Sequence, residues 1–195
     1  MFDYFLKEKS DFLKKKDKSR KGCIDKDAIK IVSQINLTSD YYTTSSCAGR
    51  IVLLERMSRK KNECSWIFAK HDKVKYDEIF DSIKNQKFRY PIWFKQQPLI
   101  LHVACRNLDA AKKLLDAARK IFKHSGIIGI TARKVTIEII GSEMIETIIA
   151  DKNFVADEKY LKNLIKYANS NFAENKGKSE IFLKIINNLT GKIIA

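Results

Sequence analysis

Proline and glycine are scarce in this chain, two and seven among 195 residues. Their scarcity excludes long flexible linkers and low-complexity tracts. Histidine is scarcer still, at three. The four cysteines, Cys23, Cys47, Cys64 and Cys105, show no Cys-x-x-Cys spacing and do not cluster with His71, His102 or His124. No metal site is expected from that distribution. No apolar run approaches the roughly 20 residues of a spanning helix. Met1 to Leu13 is broken by Asp3, Lys7, Glu8, Lys9 and Asp11, unlike the apolar core of a signal peptide. The expectation is a cytoplasmic protein with reduced thiols and no membrane partner. There is no Gly-x-Gly-x-x-Gly between strand and helix and no Walker loop, so any cofactor is held outside a Rossmann cradle.

What the chain has in excess is positive charge, a formal +15. Such a field attracts polyanions and speeds their encounter, which points to nucleic acid. A solvated lysine-rich surface is the plainer alternative. The apolar fraction, 45%, is that of a globular protein. The length suits one domain over residues 1–195, with a basic helical arm at 1–23 and a terminal helix at 178–195.

One stretch stands apart. Tyr41 to Arg50 packs six hydroxyl side chains, Cys47, Gly49 and Arg50 into ten residues. No hydrophobic period runs through it, and the apolar run Ile51 to Leu54 follows at once. It reads as a polar loop ahead of a strand, suited to an anionic or heteroatom-rich ligand. An ordinary Ser/Thr-rich turn is the alternative.

Elsewhere the periodicities alternate. Helices are expected over 1–13, 24–36, 77–86, 108–122, 158–171 and 178–189, where apolar residues recur every three or four positions. Strands are expected over 50–56, 65–70, 90–95, 99–105, 128–140 and 144–150. Strand, strand, helix is thus used three times. The order predicts an α+β fold, with largely antiparallel sheets backed by helices.

Several chemistry-bearing residues fall at strand ends. His71 beside Asp72 suits a general base, or a surface turn. His102 alternates with apolar neighbours, as a half-buried structural histidine also would. Cys47 suits a nucleophile if a base reaches it, or a small buried apolar side chain. Ser125-Gly126 suits a helix C-terminal turn, or a ligand held by N–H groups. Trp66 and Trp93 fit a core, although Trp93 near Tyr90 and Phe94 also suits stacking. Lys14, Lys15, Lys16 and Arg20, and Arg56, Arg59, Lys60 and Lys61, form two basic clusters able to grip phosphates.

The run Tyr-Tyr-Thr-Thr-Ser-Ser-Cys-Ala-Gly-Arg-Ile, Tyr41 to Ile51, resembles the signature of the tRNA wybutosine-synthesis methyltransferases. Trp66 followed by His71, then Pro98 to Arg106, then His124-Ser125-Gly126-Ile127 appear in the family's order, and the likeness covers about Asp25 to Glu138. Without added domains the chain looks like the stand-alone archaeal type. The resemblance implies S-adenosylmethionine as cofactor. It also implies methylation of N4 of the tricyclic base at guanosine 37 of phenylalanine tRNA, with the anticodon region as partner. By that resemblance Ser45, Ser46, Cys47, Arg50, Arg106, Ser125 and Gly126 hold the cofactor. His71, oriented by Asp72, takes a proton, with His102 as second choice. Tyr42 or Trp93 stacks on the base, and the two basic clusters hold phosphates. A non-catalytic RNA-binding module is the competing reading; it explains the charge but gives the hydroxyl–thiol stretch no purpose.

Overall fold

The computed structural model describes residues 3–14, 26–57 and 64–189. Lys15, Lys16, Arg20, Arg59, Lys60 and Lys61 lie outside the described residues. The described residues form two compact units, each built from more than one segment of the chain. The first takes the chain up to Ala48, Leu99–Ser142 and the chain from Lys176 onward; the second takes Gly49–Pro98 and Glu143–Asn175.

The elements in order are α1 (Tyr4–Leu13), α2 (Lys26–Asn36), β1 (Tyr41–Cys47), β2 (Arg50–Arg56) and β3 (Cys64–Lys70). Then come α3 (Tyr76–Ile83), β4 (Ile92–Gln97), β5 (Ile100–Cys105) and α4 (Leu108–Arg119). The chain ends with β6 (Gly126–Ile130), β7 (Val135–Ile140), β8 (Ile145–Ala150) and α5 (Glu158–Leu189). Every strand pair is antiparallel. The α+β expectation therefore holds.

In the first unit the sheet runs β1-β5-β7-β6. Alternation along β5 and β7 sends Leu101, Val103, Ile137 and Ile139 to one face, where they are fully buried. There they meet Ile31 and Ile35 of α2, Leu114 and Ala118 of α4, and Phe182 and Ile186 of α5. Phe182 packs edge-on against Phe122 at 5.4 Å. Asn107 caps α4 by accepting from the Ala110 N–H at 2.9 Å. On the opposite face α1 lays Phe5 against Tyr42 and Ala104.

In the second unit the sheet runs β3-β2-β4-β8. Ile51, Leu53, Phe94 and Ile149 pack on Ile79 and Ile83 of α3 and on Leu161, Ile165 and Ala168 of α5. Asn169 clamps the loop before α3: it accepts from the Val74 N–H and donates to the Val74 carbonyl, at 2.9 and 2.8 Å. The other face carries the row Trp66, Leu54, Trp93 and Ile148, one residue from each strand.

Three expectations change. Tyr41–Cys47 is a strand, not a loop. The expected strand 128–140 is two strands, β6 and β7, which turn at Thr131 through its N–H bond to the Lys134 carbonyl at 2.9 Å. The two expected C-terminal helices are one, α5, continuous through Gly177. The first and third strand groups therefore hold three strands each rather than two.

Candidate active site

In the first unit a short row of polar residues crosses the sheet on the face shared with Tyr42 and Ala104. Ser45 of β1 stands opposite His102 of β5, His102 opposite Glu138 of β7, and Glu138 opposite Gly126 of β6. A β-bulge at Thr44 sets this row. The register slips between Thr43 and Ser45, so Ser45 rather than Thr44 joins Tyr42 on that face. His102 Nε2 lies 2.9 Å from Glu138 Oε2. Both side chains are about one-third exposed, 33% and 29%, so the pair is reachable. Ser46 pairs with Leu101 and so faces the opposite side. Gly126 opens an edge strand, and a Cβ there would meet nothing within 4 Å.

In the second unit the site is built around Arg50. Its Nε donates to Gln97 Oε1 at 2.6 Å, and its guanidinium lies 4.7 Å from the Trp66 ring centroid. The register puts Arg50 opposite Gln97 on neighbouring strands. One edge and one face of the guanidinium are thereby fixed, while its terminal nitrogens make no hydrogen bond among the described residues. That is a preorganised fork for a carboxylate or phosphate. Beside it, Gly49 adopts φ +105°, and a Cβ there would stand 2.9 Å from the Gln97 carbonyl oxygen. The Gly49 carbonyl accepts from His71 Nδ1 at 3.1 Å.

Other expected site residues are committed to the fold. Arg106 is held by Asp3 at 2.7 Å, Asp40 at 2.8 Å and the Ser39 carbonyl at 3.1 Å. These bonds pin α1 to the end of β5, so Arg106 is not a spare anion ligand. Ser125 is buried; its hydroxyl donates to the Phe122 carbonyl and accepts from the Ile140 N–H. Tyr42, expected to stack on a base, is fully buried with Phe5 and Phe12 on its ring and its hydroxyl on Glu8. Asp72, expected to orient His71, accepts instead from the Lys73 N–H at 2.7 Å, and the Gly49 carbonyl takes the orienting place. Cys47 ends β1, half-buried, opposite Ile100. Lys14 closes α1, exposed. Arg56 lies over Trp93 at 5.0 Å and pairs with Glu146 at 2.9 Å. Lys95 shares that same Glu146 oxygen at 2.8 Å. Trp93 is half-buried in that cluster, beside cations as a nucleic-acid platform would be.

The sequence profile of the family described as Methyltransferase TYW3 matches residues 7–188. The chain belongs to the TYW3 methyltransferase family. A Methanocaldococcus jannaschii relative is 36% identical over 175 residues, covering 87% of this chain and 88% of its own. It is named tRNA(Phe) 7-((3-amino-3-carboxypropyl)-4-demethylwyosine(37)-N(4))-methyltransferase. A Thermococcus sibiricus relative of the same name is 33% identical and covers 89% of this chain and 93% of its own. The human tRNA wybutosine-synthesizing protein 3 homolog is 33% identical over 91% of this chain and 70% of its own. A solved protein of Pyrococcus horikoshii OT3 superposes with a TM-score of 0.82 at 30% identity, covering 96% of both chains.

Membership in the TYW3 family makes the protein a methyltransferase and disfavours the non-catalytic module. The reaction requires a methyl donor. The Arg50 fork fits a donor that carries a carboxylate, since a planar guanidinium with two outward nitrogens matches its two oxygens. Two partners of the site were missed in the sequence. Gln97 gives no signal alone, and Trp66 reads as core. The register sets Gln97 opposite Arg50, whereas Trp66 pairs with Leu54 and meets the Arg50 guanidinium through the reach of the side chains.

Proposed function

We propose that this protein methylates N4 of the tricyclic wyosine-type base at position 37 of phenylalanine tRNA in the cytoplasm, using S-adenosylmethionine. The observation that carries the reading is the preorganised Arg50 fork, formed from the Ser-Ser-Cys-Ala-Gly-Arg run of a TYW3 methyltransferase. When bound, S-adenosylmethionine supplies an electrophilic methyl group on a sulfonium. Arg50 would hold its carboxylate. In the first unit, Ser45 and Gly126 lie on the sheet face of His102, while Ser46 faces the other side. Arg106 and Ser125 serve instead to hold the elements in place.

Methyl transfer to nitrogen is an in-line displacement that asks chiefly for alignment. A sulfonium donor bound there would supply the methyl group, with its thioether as the leaving group once the acceptor nitrogen is methylated. A histidine would take the N–H proton; of the two candidates, His71 belongs to the same unit as Arg50 and His102 to the other. Trp93 with Arg56 supplies a stacking and phosphate-binding patch for the anticodon region, and Lys14 with the basic residues at 15–20 and 59–61 adds to the chain's positive charge.

Calorimetry with S-adenosylmethionine tests the fork. Saturable micromolar to millimolar binding by the wild type, weakened at least tenfold by Arg50→Ala, supports the reading. Equal binding by both proteins, or none by the wild type, contradicts it.

A further inference from the structure

We infer that the solvent face of the first turns of α5 is a surface that grips tRNA. Tyr160 and Tyr167 stack on unpaired bases there, and Lys159 and Lys166 pair with phosphates. The inference rests on the proposed tRNA substrate and names where it is held. All four residues belong to the second unit, so the surface is complete within it. The start of α5 divides by side. Leu161, Leu164, Ile165 and Ala168 recur every three or four positions and are buried in the second unit's core. Between them Lys159, Tyr160, Asn163, Lys166 and Tyr167 are exposed. Residues seven apart lie almost two full turns apart, so Tyr160 and Tyr167 share one row and Lys159 and Lys166 the row beside it. Each row is about 10 Å long, a few nucleotide steps.

Two features set this face apart from an ordinary solvated helix. The first is aromatic. Among the described residues the exposed aromatic side chains are Tyr4, Phe154, Tyr160 and Tyr167, and all but Tyr4 fall within 154–167. Tyr167 is 63% exposed. The Tyr160 hydroxyl lies 3.4 Å from Thr147 Oγ1, which steadies that ring. A lone exposed ring needs no explanation, but rings in a row beside lysines are the composition of a single-strand-binding surface. The second feature is uncancelled charge. Lys159 and Lys166 make no ion pair among the described residues. The carboxylates at the start of the helix are committed elsewhere: Glu158 pairs with Lys162 at 2.5 Å, and Asp157 accepts the Tyr160 N–H at 2.8 Å. In the same unit Arg56 and Lys95, by contrast, share Glu146. Helix α4 of the first unit carries Lys112 and Lys113 but no aromatic residue.

The occupant this chemistry fits is a polyanion that presents ring faces, which is an RNA strand with unpaired bases. A second copy of this chain fits poorly, because each copy carries +15 and repels the other.

The test measures the affinity of the full chain for phenylalanine tRNA by filter binding across a salt series. Lys159→Ala/Lys166→Ala should weaken binding and make the log–log salt slope shallower by about 1 to 2. Tyr167→Ala should weaken binding about fivefold to hundredfold with the slope unchanged, while Tyr167→Phe, which keeps the ring, stays within about twofold of wild type. Lys112→Ala/Lys113→Ala takes the same charge from α4 and should keep the wild-type slope. Matched thermal melting of all the proteins excludes misfolding. The inference is overturned if Tyr167→Ala binds within about twofold of wild type, or if the α4 and α5 lysine pairs lose affinity and slope equally. It is also overturned if sedimentation shows a wild-type dimer that Tyr167→Ala splits, which would give the face to a second copy. If the wild type binds no tRNA, the proposed substrate falls and takes this surface with it. If it binds with a steep slope that no α5 variant moves, this surface alone falls.

Discussion

At the scale of single residues, the second unit's site depends on Gly49. Its φ of +105° is a conformation that side chains rarely adopt, and a Cβ would press on the Gln97 carbonyl at 2.9 Å. Gln97 holds Arg50, and the Gly49 carbonyl holds His71, so strain here reaches both. Gly49→Ala should lower stability by about 1–3 kcal/mol in chemical denaturation, with weaker cofactor binding. Unchanged stability would contradict the backbone argument. In the first unit, Glu8 is bonded to Lys134 and to the Tyr42 hydroxyl. The Lys134 bond, with the Tyr42 bond assisting, outweighs desolvation and holds the Glu8 carboxyl below the usual glutamate range. A carboxyl depressed on folding stabilises the protein above its unfolded value and loses that contribution as pH falls through the folded one. Glu8→Gln should therefore destabilise the protein near pH 7, and the difference should shrink below about pH 4. A gap constant with pH would remove the ion-pair account.

At the scale of elements, α5 holds the first unit's core through Phe182, fully buried against Phe122. Phe182→Ala should cost about 3–5 kcal/mol, measured by urea unfolding, because the site is enclosed on all sides. The same element marks where sequence reading stops. Glu174 to Lys178 is polar and contains Gly177, so it looks like a break between two helices. The helix continues because Asn175 and Ser179 are buried in it, and one glycine costs only about 1 kcal/mol. The stretch Tyr41 to Cys47 misleads for the opposite reason. Its hydroxyls hide a strand pattern, since burial there comes from tyrosine and threonine. The Asn36 side chain accepts from both the Thr43 N–H and hydroxyl at 2.8 Å. By contrast, α4 and most of the strands were legible, since their apolar spacing is regular. The Ser45–His102–Glu138 row was not. Those residues lie far apart in the chain, and only strand register and a bulge align them.

At the scale of the whole molecule, the charge of +15 predicts tRNA binding governed by phosphate contacts. With six to ten such contacts, affinity should fall by about 10³ to 10⁵ between 50 and 200 mM salt. A filter-binding series checks this, and a flat salt dependence would contradict it. Arg56 and Lys95, only 12% and 15% exposed, share the Glu146 carboxylate, so they contribute less to such contacts than exposed lysines do. The central claim concerns which atom receives the methyl group. Mass spectrometry of nucleosides decides it, after phenylalanine tRNA bearing the unmethylated tricycle is incubated with the protein and isotope-labelled S-adenosylmethionine. The label should appear on the tricyclic base, with fragmentation placing it on N4. Label on another nucleoside, or none on the tricycle, would contradict the account.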